Sequence, residues 1–333
     1  MSPVDPAILS ALGLPPNSTA KLVSYGGGGF SSTYKLVINN NNKNDTTQSY
    51  FVKTGSGPSA EVMFRGEHAS LNAIHAAVPS FCPKSYAHGT FSSSPEKSFL
   101  VTDFLDLTST GPAGSGQSLA QKLAKLHTTP APIPPGHTKP MYGFPVTTCC
   151  GATEQDNSWT EPWADFYANR RLRSILREGV RKNGNDAKLA EAVEAVASKV
   201  VPRLLGDRHL KGVMPVVVHG DLWSGNHGRG RILSPDQEGE NGGVEEVVYD
   251  PSCVYGHSEY ELGIMKMFGG FGSGFWSEYG KLVKKSDPVD EYDDRVALYE
   301  LYHHLNHFAL FGGGYRGGAM SIMKKLIAKY GQS

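Results

Sequence analysis

Along residues 20–38 apolar positions alternate with polar ones on either side of Gly26-Gly27-Gly28-Gly29, the period-two signature of two strands joined by a glycine-rich turn. The polar, asparagine-rich stretch 39–49 reads as a loop, and residues 50–53 as a third short strand. Over 60–78, Phe64, Glu67, Leu71, Ile74 and Val78 recur at helical spacing, which puts Glu67 on an apolar face. Residues 98–102 form another strand that runs into Asp103, Phe104 and Leu105, and the Gly/Ser/Pro-rich stretch 108–117 then marks a boundary. Beyond it the period changes. An amphipathic helix over 118–127 precedes a proline-rich connection through Pro140, and helical patterns follow over 163–177 and 187–205. Two short apolar strands, 215–218 and 244–249, end on His219 and Asp250 and are linked through a loop over 234–243. A last helix over 296–311 buries Leu298, Leu301, Tyr302, Leu305 and Phe308.

The succession of strands and then helices predicts an α+β chain in two parts. A small sheet-rich N-lobe, 1–106, carries the glycine-rich turn, a lysine strand and a glutamate helix, and a larger, mainly helical C-lobe, 107–333, carries the rest. A length of 333 residues suits two such parts. Lysine plus arginine and aspartate plus glutamate both number 32, so no net field draws nucleic acid or an anionic membrane, and any anion must be recognised locally. Cys82, Cys149, Cys150 and Cys253 show no C-x-x-C spacing, which argues against a zinc site or a disulfide framework. With no leader-like or membrane-length apolar run, the expectation is a cytoplasmic monomer that binds neither nucleic acid nor membrane.

The strongest chemical signal is His219-Gly220-Asp221-Leu222-Trp223-Ser224-Gly225-Asn226, followed by Asp250 at the end of the next apolar strand. Phosphoryl transfer needs a carboxylate beside the attacking hydroxyl and oxygen ligands for Mg²⁺ that offset charge on the β- and γ-phosphates. Asp221 fits the first role, and Asn226 and Asp250 fit the second, at the Asp-x-x-x-x-Asn spacing of a kinase catalytic loop. The plainer reading, that Asp221 and Asn226 only stabilise turns, leaves the rest of the string unexplained. Lys53 on its strand and Glu67 on the next helix supply a pair that positions the α- and β-phosphates of ATP. Gly26, Gly27, Gly28 and Gly29 then serve as a lid whose N–H groups face phosphate, although glycines also occur in hairpins simply to reach positive φ. By position alone, Thr102, Asp103, Phe104 and Leu105 offer backbone groups to adenine. His303 and His307, four apart on a helix, lack the third ligand a zinc site needs. Among the aromatic residues, Trp223 is assigned a substrate role because it lies inside the catalytic string.

Three further features accompany that string: the stretch 250–262, with Asp250-Pro251-Ser252 and Gly256-His257-Ser258-Glu259-Tyr260-Glu261-Leu262; Phe268-Gly269-Gly270-Phe271; and Leu305-Asn306-His307 with Gly312-Gly313-Gly314-Tyr315. With Tyr142-Gly143-Phe144, Asn157-Ser158-Trp159 and Arg171-Leu172, the chain resembles the fructosamine/ketosamine-3-kinase family over nearly its whole length. The resemblance implies a protein-kinase-like bilobal fold and ATP- and Mg²⁺-dependent phosphorylation of the C3 hydroxyl of ketosamines, the sugar adducts on lysines or small amines. That reaction leads to deglycation. Aminoglycoside phosphotransferases and choline kinases share fewer of these features, so a kinase of another small hydroxyl compound is the alternative, and a nucleotide-binding regulator is a third. Two departures stand out. The glycine-rich turn lacks the cysteine many relatives carry there, and Glu261 stands where the family usually has aspartate.

Overall fold

The computed structural model describes residues 4–27, 31–40, 46–235 and 243–332. The chain begins with α1 (Pro6–Ala11), β1 (Thr19–Gly27), β2 (Ser32–Asn40), β3 (Thr46–Ser56), α2 (Pro58–Ala77), β4 (Ser85–Thr90) and β5 (Lys97–Asp106). It continues through α3 (Leu119–Thr128), β6 (Thr148–Cys150), β7 (Thr153–Gln155), α4 (Trp163–Phe166), α5 (Ser174–Asn183), α6 (Ala187–Ala195) and α7 (Val201–Leu205). It ends with β8 (Val216–Val218), β9 (His227–Leu233), β10 (Glu245–Val248), β11 (Val254–Gly256), α8 (Glu261–Phe268), α9 (Ser273–Leu282), α10 (Tyr292–Phe311) and α11 (Arg316–Tyr330). The α+β expectation holds: sheet dominates the N-terminal part and helix the C-terminal part. No described helix is long and apolar enough to cross a membrane.

The chain packs as two compact units. The first comprises 1–122 together with 226–251, and the second 123–225 together with 252–333. In the first, an antiparallel sheet runs β1-β2-β3-β5-β9-β10, with β4 also on β5. Side chains alternate across it as strand geometry requires. Leu100 packs with Ala60 and Phe64 of α2 on one face. Its neighbours Phe99 and Val101 face the other way, into a cluster with Ile8, Leu36, Ile38, Tyr50 and Val52. In the second unit, helices α4 to α7, α10 and α11 enclose a large core around Trp163, Tyr167, Tyr260, Tyr299 and Tyr302.

Four local expectations are corrected. The 39–49 loop is shorter, because β2 and β3 stay paired out to Asn40 and Thr46. Residues 227–233 form β9, a strand hidden in the sequence by polar residues and by Gly228 and Gly230, and β9 rather than 215–218 pairs with β10. The apolar strand β8 pairs instead with β11. The helix ending at Phe311 is not the last, since α11 follows and buries Ala319, Met323, Leu326 and Tyr330.

Buried polar groups in the second unit are chained rather than isolated. Trp163 Nε1–H donates to the Tyr299 hydroxyl (2.8 Å), which donates to His257 Nδ1 (2.8 Å), and His257 Nε2–H donates to Ser286 Oγ (2.9 Å). This tautomer is neutral, and burial holds the His257 pKa down to about 4. A folded pKa below the unfolded value of about 6.5 means that the stabilising contribution is complete above that value and is lost as pH falls toward about 4. Denaturant titrations at pH 7 and pH 4.5 should therefore differ, with His257 alone contributing up to about 3 kcal/mol of acid destabilisation. His257→Gln should flatten that slope.

Candidate active site

The first unit holds Lys53, Glu67, Asn226 and Asp250, the residues the sequence assigns to phosphate and metal. Strand β3 presents Lys53 opposite Leu100 of β5, and α2 presents Glu67. Lys53 Nζ donates to Glu67 Oε1 at 2.7 Å and to Asp250 Oδ1 at 2.5 Å. Lys53 and Glu67 side chains are each 11% exposed, whereas Asp250 is 53% exposed. Burial alone would lower the Lys53 pKa, but the charges of Glu67 and Asp250 outweigh it and the ammonium is held more firmly protonated than usual. Burial, aided by the charge of Asp250 and opposed by Lys53, pushes the Glu67 carboxyl up to about 7.

Asn226 and Asp250 come together through the β9–β10 hairpin. His227 pairs with Val248, and the Tyr249 N–H donates to the Asn226 carbonyl at 3.1 Å. Both residues thus sit at one end of the hairpin. Asp250 has φ 56°, and it is the non-glycine residue with positive φ among the described residues. That region is sparsely populated by L-residues, and such outliers persist where surrounding structure enforces them, often at functional positions.

Gly26 adopts φ 73° and Gly27 pairs with Ser32, while Gly28 and Gly29 lie outside the described residues. Thr102, Asp103, Phe104 and Leu105 lie within β5 itself. The Asp103 carboxylate accepts from the Lys84 N–H (2.8 Å) and the Tyr86 hydroxyl (2.7 Å), and the Asp103 N–H donates to the Lys84 carbonyl, so its N–H and carboxylate are engaged within the first unit. Pairing with β3 ends at Asp103, and β9 then pairs with Phe104, Leu105 and Asp106. On the β3 edge, Phe104 and Leu105 carry no strand partner among the described residues.

The second unit holds Asp221 and Trp223. Strand β8 ends at Val218, His219 follows, and Gly220 turns the chain at φ 81°, where a Cβ would stand 2.1 Å from the Ser252 carbonyl oxygen, so only glycine fits. The turn is anchored by Glu261 at the start of α8, fully buried, which accepts from the N–H groups of His219 and Gly220, the latter at 3.0 Å. Burial would raise the Glu261 pKa, but its hydrogen bonds and the nearby His127 and His219 hold it below the usual carboxylate range. Glu261→Ala would leave two buried donors unpaired, at about 1–3 kcal/mol each. The expected result is a loss of roughly 2–5 kcal/mol in denaturant unfolding, and a change under about 0.5 kcal/mol, typical of an exposed surface site, would overturn this role.

Asp221 is half-buried, and its N–H donates to His219 Nδ1 at 3.3 Å. A residue the sequence reading did not assign, Cys150 on β6, places its Sγ 3.8 Å from Asp221 Oδ1. Burial and the charge of Asp221 push that thiol well above its usual pKa, so it stays protonated and donates to the carboxylate. Nothing local in the sequence links the two positions. The Trp223 ring covers Gly225, where a Cβ would stand 2.2 Å from the indole, and Trp223 remains 40% exposed. His303 is fully buried, and no group of three metal-ligating side chains occurs among the described residues.

A family model described as fructosamine kinase matches residues 13–329. A ketosamine-3-kinase of Mus musculus is 34% identical over 293 residues, covering 83% of this chain and 87% of the relative. A chloroplastic protein-ribulosamine 3-kinase of Oryza sativa subsp. indica is 35% identical over 278 residues, covering 83% and 71%. Among solved structures, a Haemophilus somnus 129PT protein that carries the name fructosamine-3-kinase aligns with TM-score 0.69 at 23% identity over 96% of this chain and 95% of its own. An aminoglycoside phosphotransferase variant in ternary complex with AMP-PNP and hygromycin B aligns with TM-score 0.56 at 13% identity over 97% and 98%. At these identities the two structures establish a shared, protein-kinase-like fold.

Proposed function

The chain belongs to the fructosamine kinase family, and from that premise we propose that it is an ATP- and Mg²⁺-dependent kinase that phosphorylates the C3 hydroxyl of ketosamines, ribulosamine or fructosamine adducts on lysine or small amines, leading to deglycation. The observation that carries the proposal is the buried Lys53, held at once by Glu67 and Asp250. Above about pH 7, where Glu67 is ionised, two carboxylates on one ammonium leave a negative charge uncompensated, the setting in which a divalent cation is welcome. Mg²⁺ takes one or two carboxylates with water and phosphate oxygens completing its shell, and Asp250 with Asn226 suits that requirement. Bound there, the ion would offset charge on the β- and γ-phosphates.

The remaining work falls to the chain's own groups. Lys53, oriented by Glu67, holds the α- and β-phosphates, and the described N–H groups at Gly26 and Gly27 belong to the lid over them. Phe104 and Leu105 offer backbone groups to adenine. Asp221 accepts the proton of the C3 hydroxyl as that oxygen bonds to the γ-phosphorus and the β–γ bridging oxygen departs with ADP.

The test is ADP release with and without a ribulosylated or fructosylated amine, each with and without Mg²⁺. ADP formation that requires both supports the proposal. ATP binding without transfer to any ketosamine overturns it in favour of a nucleotide-binding regulator, and transfer to an aminoglycoside alone assigns a different acceptor.

A further inference from the structure

An aromatic ridge runs outward from the catalytic string within the second unit. The Trp223 and Phe268 ring centroids are 6.0 Å apart, Phe268 and His307 5.0 Å, and His307 and Phe311 5.6 Å, with Tyr315 5.0 Å from His307. Phe268 ends α8, while His307 and Phe311 lie four apart on α10 and therefore share a face. Trp223 and Phe268 are 40% and 39% exposed and Phe311 63%, with His307 and Tyr315 partly buried between and beside them. It is also tied to the string, because Gly270 passes so close to Ser224 that a Cβ there would lie 2.5 Å from the serine Cβ. His307 Nδ1–H donates to the His303 carbonyl at 2.8 Å, which fixes the ring and turns Nε2 into an acceptor. Beyond Phe311, Gly313 and Gly314 have open space where a side chain would stand.

Exposed rings cost free energy in water, and a contiguous row of them marks a binding surface. A single sugar covers one ring, whereas the centroid steps of this row reach up to about five residues of extended polypeptide at ~3.3 Å per residue. We propose that the ridge binds the carrier of the ketosamine: the alkyl arm of a glycated lysine and the extended, uncharged peptide beside it, with Trp223 meeting the adduct and Phe311 the flanking peptide. The inference rests on the ketosamine-kinase reading above.

The test compares Phe311→Ala with the unsubstituted enzyme on a fructosylated or ribulosylated small amine and on the same adduct within a lysine peptide of about ten residues. Truncating an exposed aromatic anchor should raise KM for the peptide about tenfold with kcat retained, while the small adduct changes by less than about twofold. Phe311→Tyr should keep the peptide KM near that of the unsubstituted enzyme. Equal losses on both substrates, or an unmoved peptide KM, overturn the proposal. A change of oligomeric state in sedimentation, with both KM values unmoved, overturns it in favour of a self-contact. If the unsubstituted enzyme phosphorylates the small adduct but not the peptide, the ridge assignment fails alone. If it phosphorylates neither, the kinase reading fails first.

Discussion

Asp221→Ala lowers the rate of ketosamine phosphorylation by about 10²–10⁴-fold, the contribution of a positioned general base, and leaves ATP binding intact. The two effects separate because the groups assigned to phosphate, Lys53, Glu67, Asn226 and Asp250, belong to the first unit, whereas Asp221 belongs to the second. The fold should survive. The Asp221 backbone N–H reaches His219 Nδ1 and its carbonyl accepts the Trp223 N–H, and alanine keeps both while losing the long thiol contact from Cys150 to the carboxylate. Single-turnover kinetics alongside ATP titration measure the split. Unchanged turnover would remove Asp221 from the reaction, and lost ATP affinity would show that it acts by holding structure.

Lys53→Met is the second large effect. Removing one partner of a buried ion pair costs about 3–5 kcal/mol because the remaining charge is stranded, and here two carboxylates converge on the vacated position. Asp250 is half-exposed and can turn to water, so the expected destabilisation lies at the lower end of that range. Activity should fall by roughly 10²–10³-fold, the scale for deleting one positioned donor to a transferring group. Adding Glu67→Gln to Lys53→Met removes the stranded charge and should recover stability without recovering turnover. A double variant no more stable than the single one would show that Glu67 is not held by Lys53.

The pattern of apolar positions was enough to place most of β1, β2, α2, α3 and α10 and the middle of β3 and β5, because each follows a local period and buries one face. It failed at β9, where Gly228 and Gly230 interrupt a strand held only by its neighbours β5 and β10. It failed again past Phe311, where Gly312 to Gly318 hid the start of α11. Residue chemistry marked Lys53, Glu67, Asp221, Asn226 and Asp250, since charged or amide groups beside apolar strands and helices need partners. It could not mark Cys150, whose role depends on β6 standing beside the string.

What the sequence determined by itself is thus most of the succession of strands and helices and the identity of the polar groups proposed for the chemistry, both written in short-range order. The tertiary structure alone decided the partnerships. Lys53 meets Asp250 across 197 positions of chain, Glu261 holds the His219–Gly220 turn from the start of α8, and β9 and β10 return to the first sheet with Asn226 and Asp250. Such contacts carry no local period, because they arise from loops closing so that buried charges and backbone donors find partners.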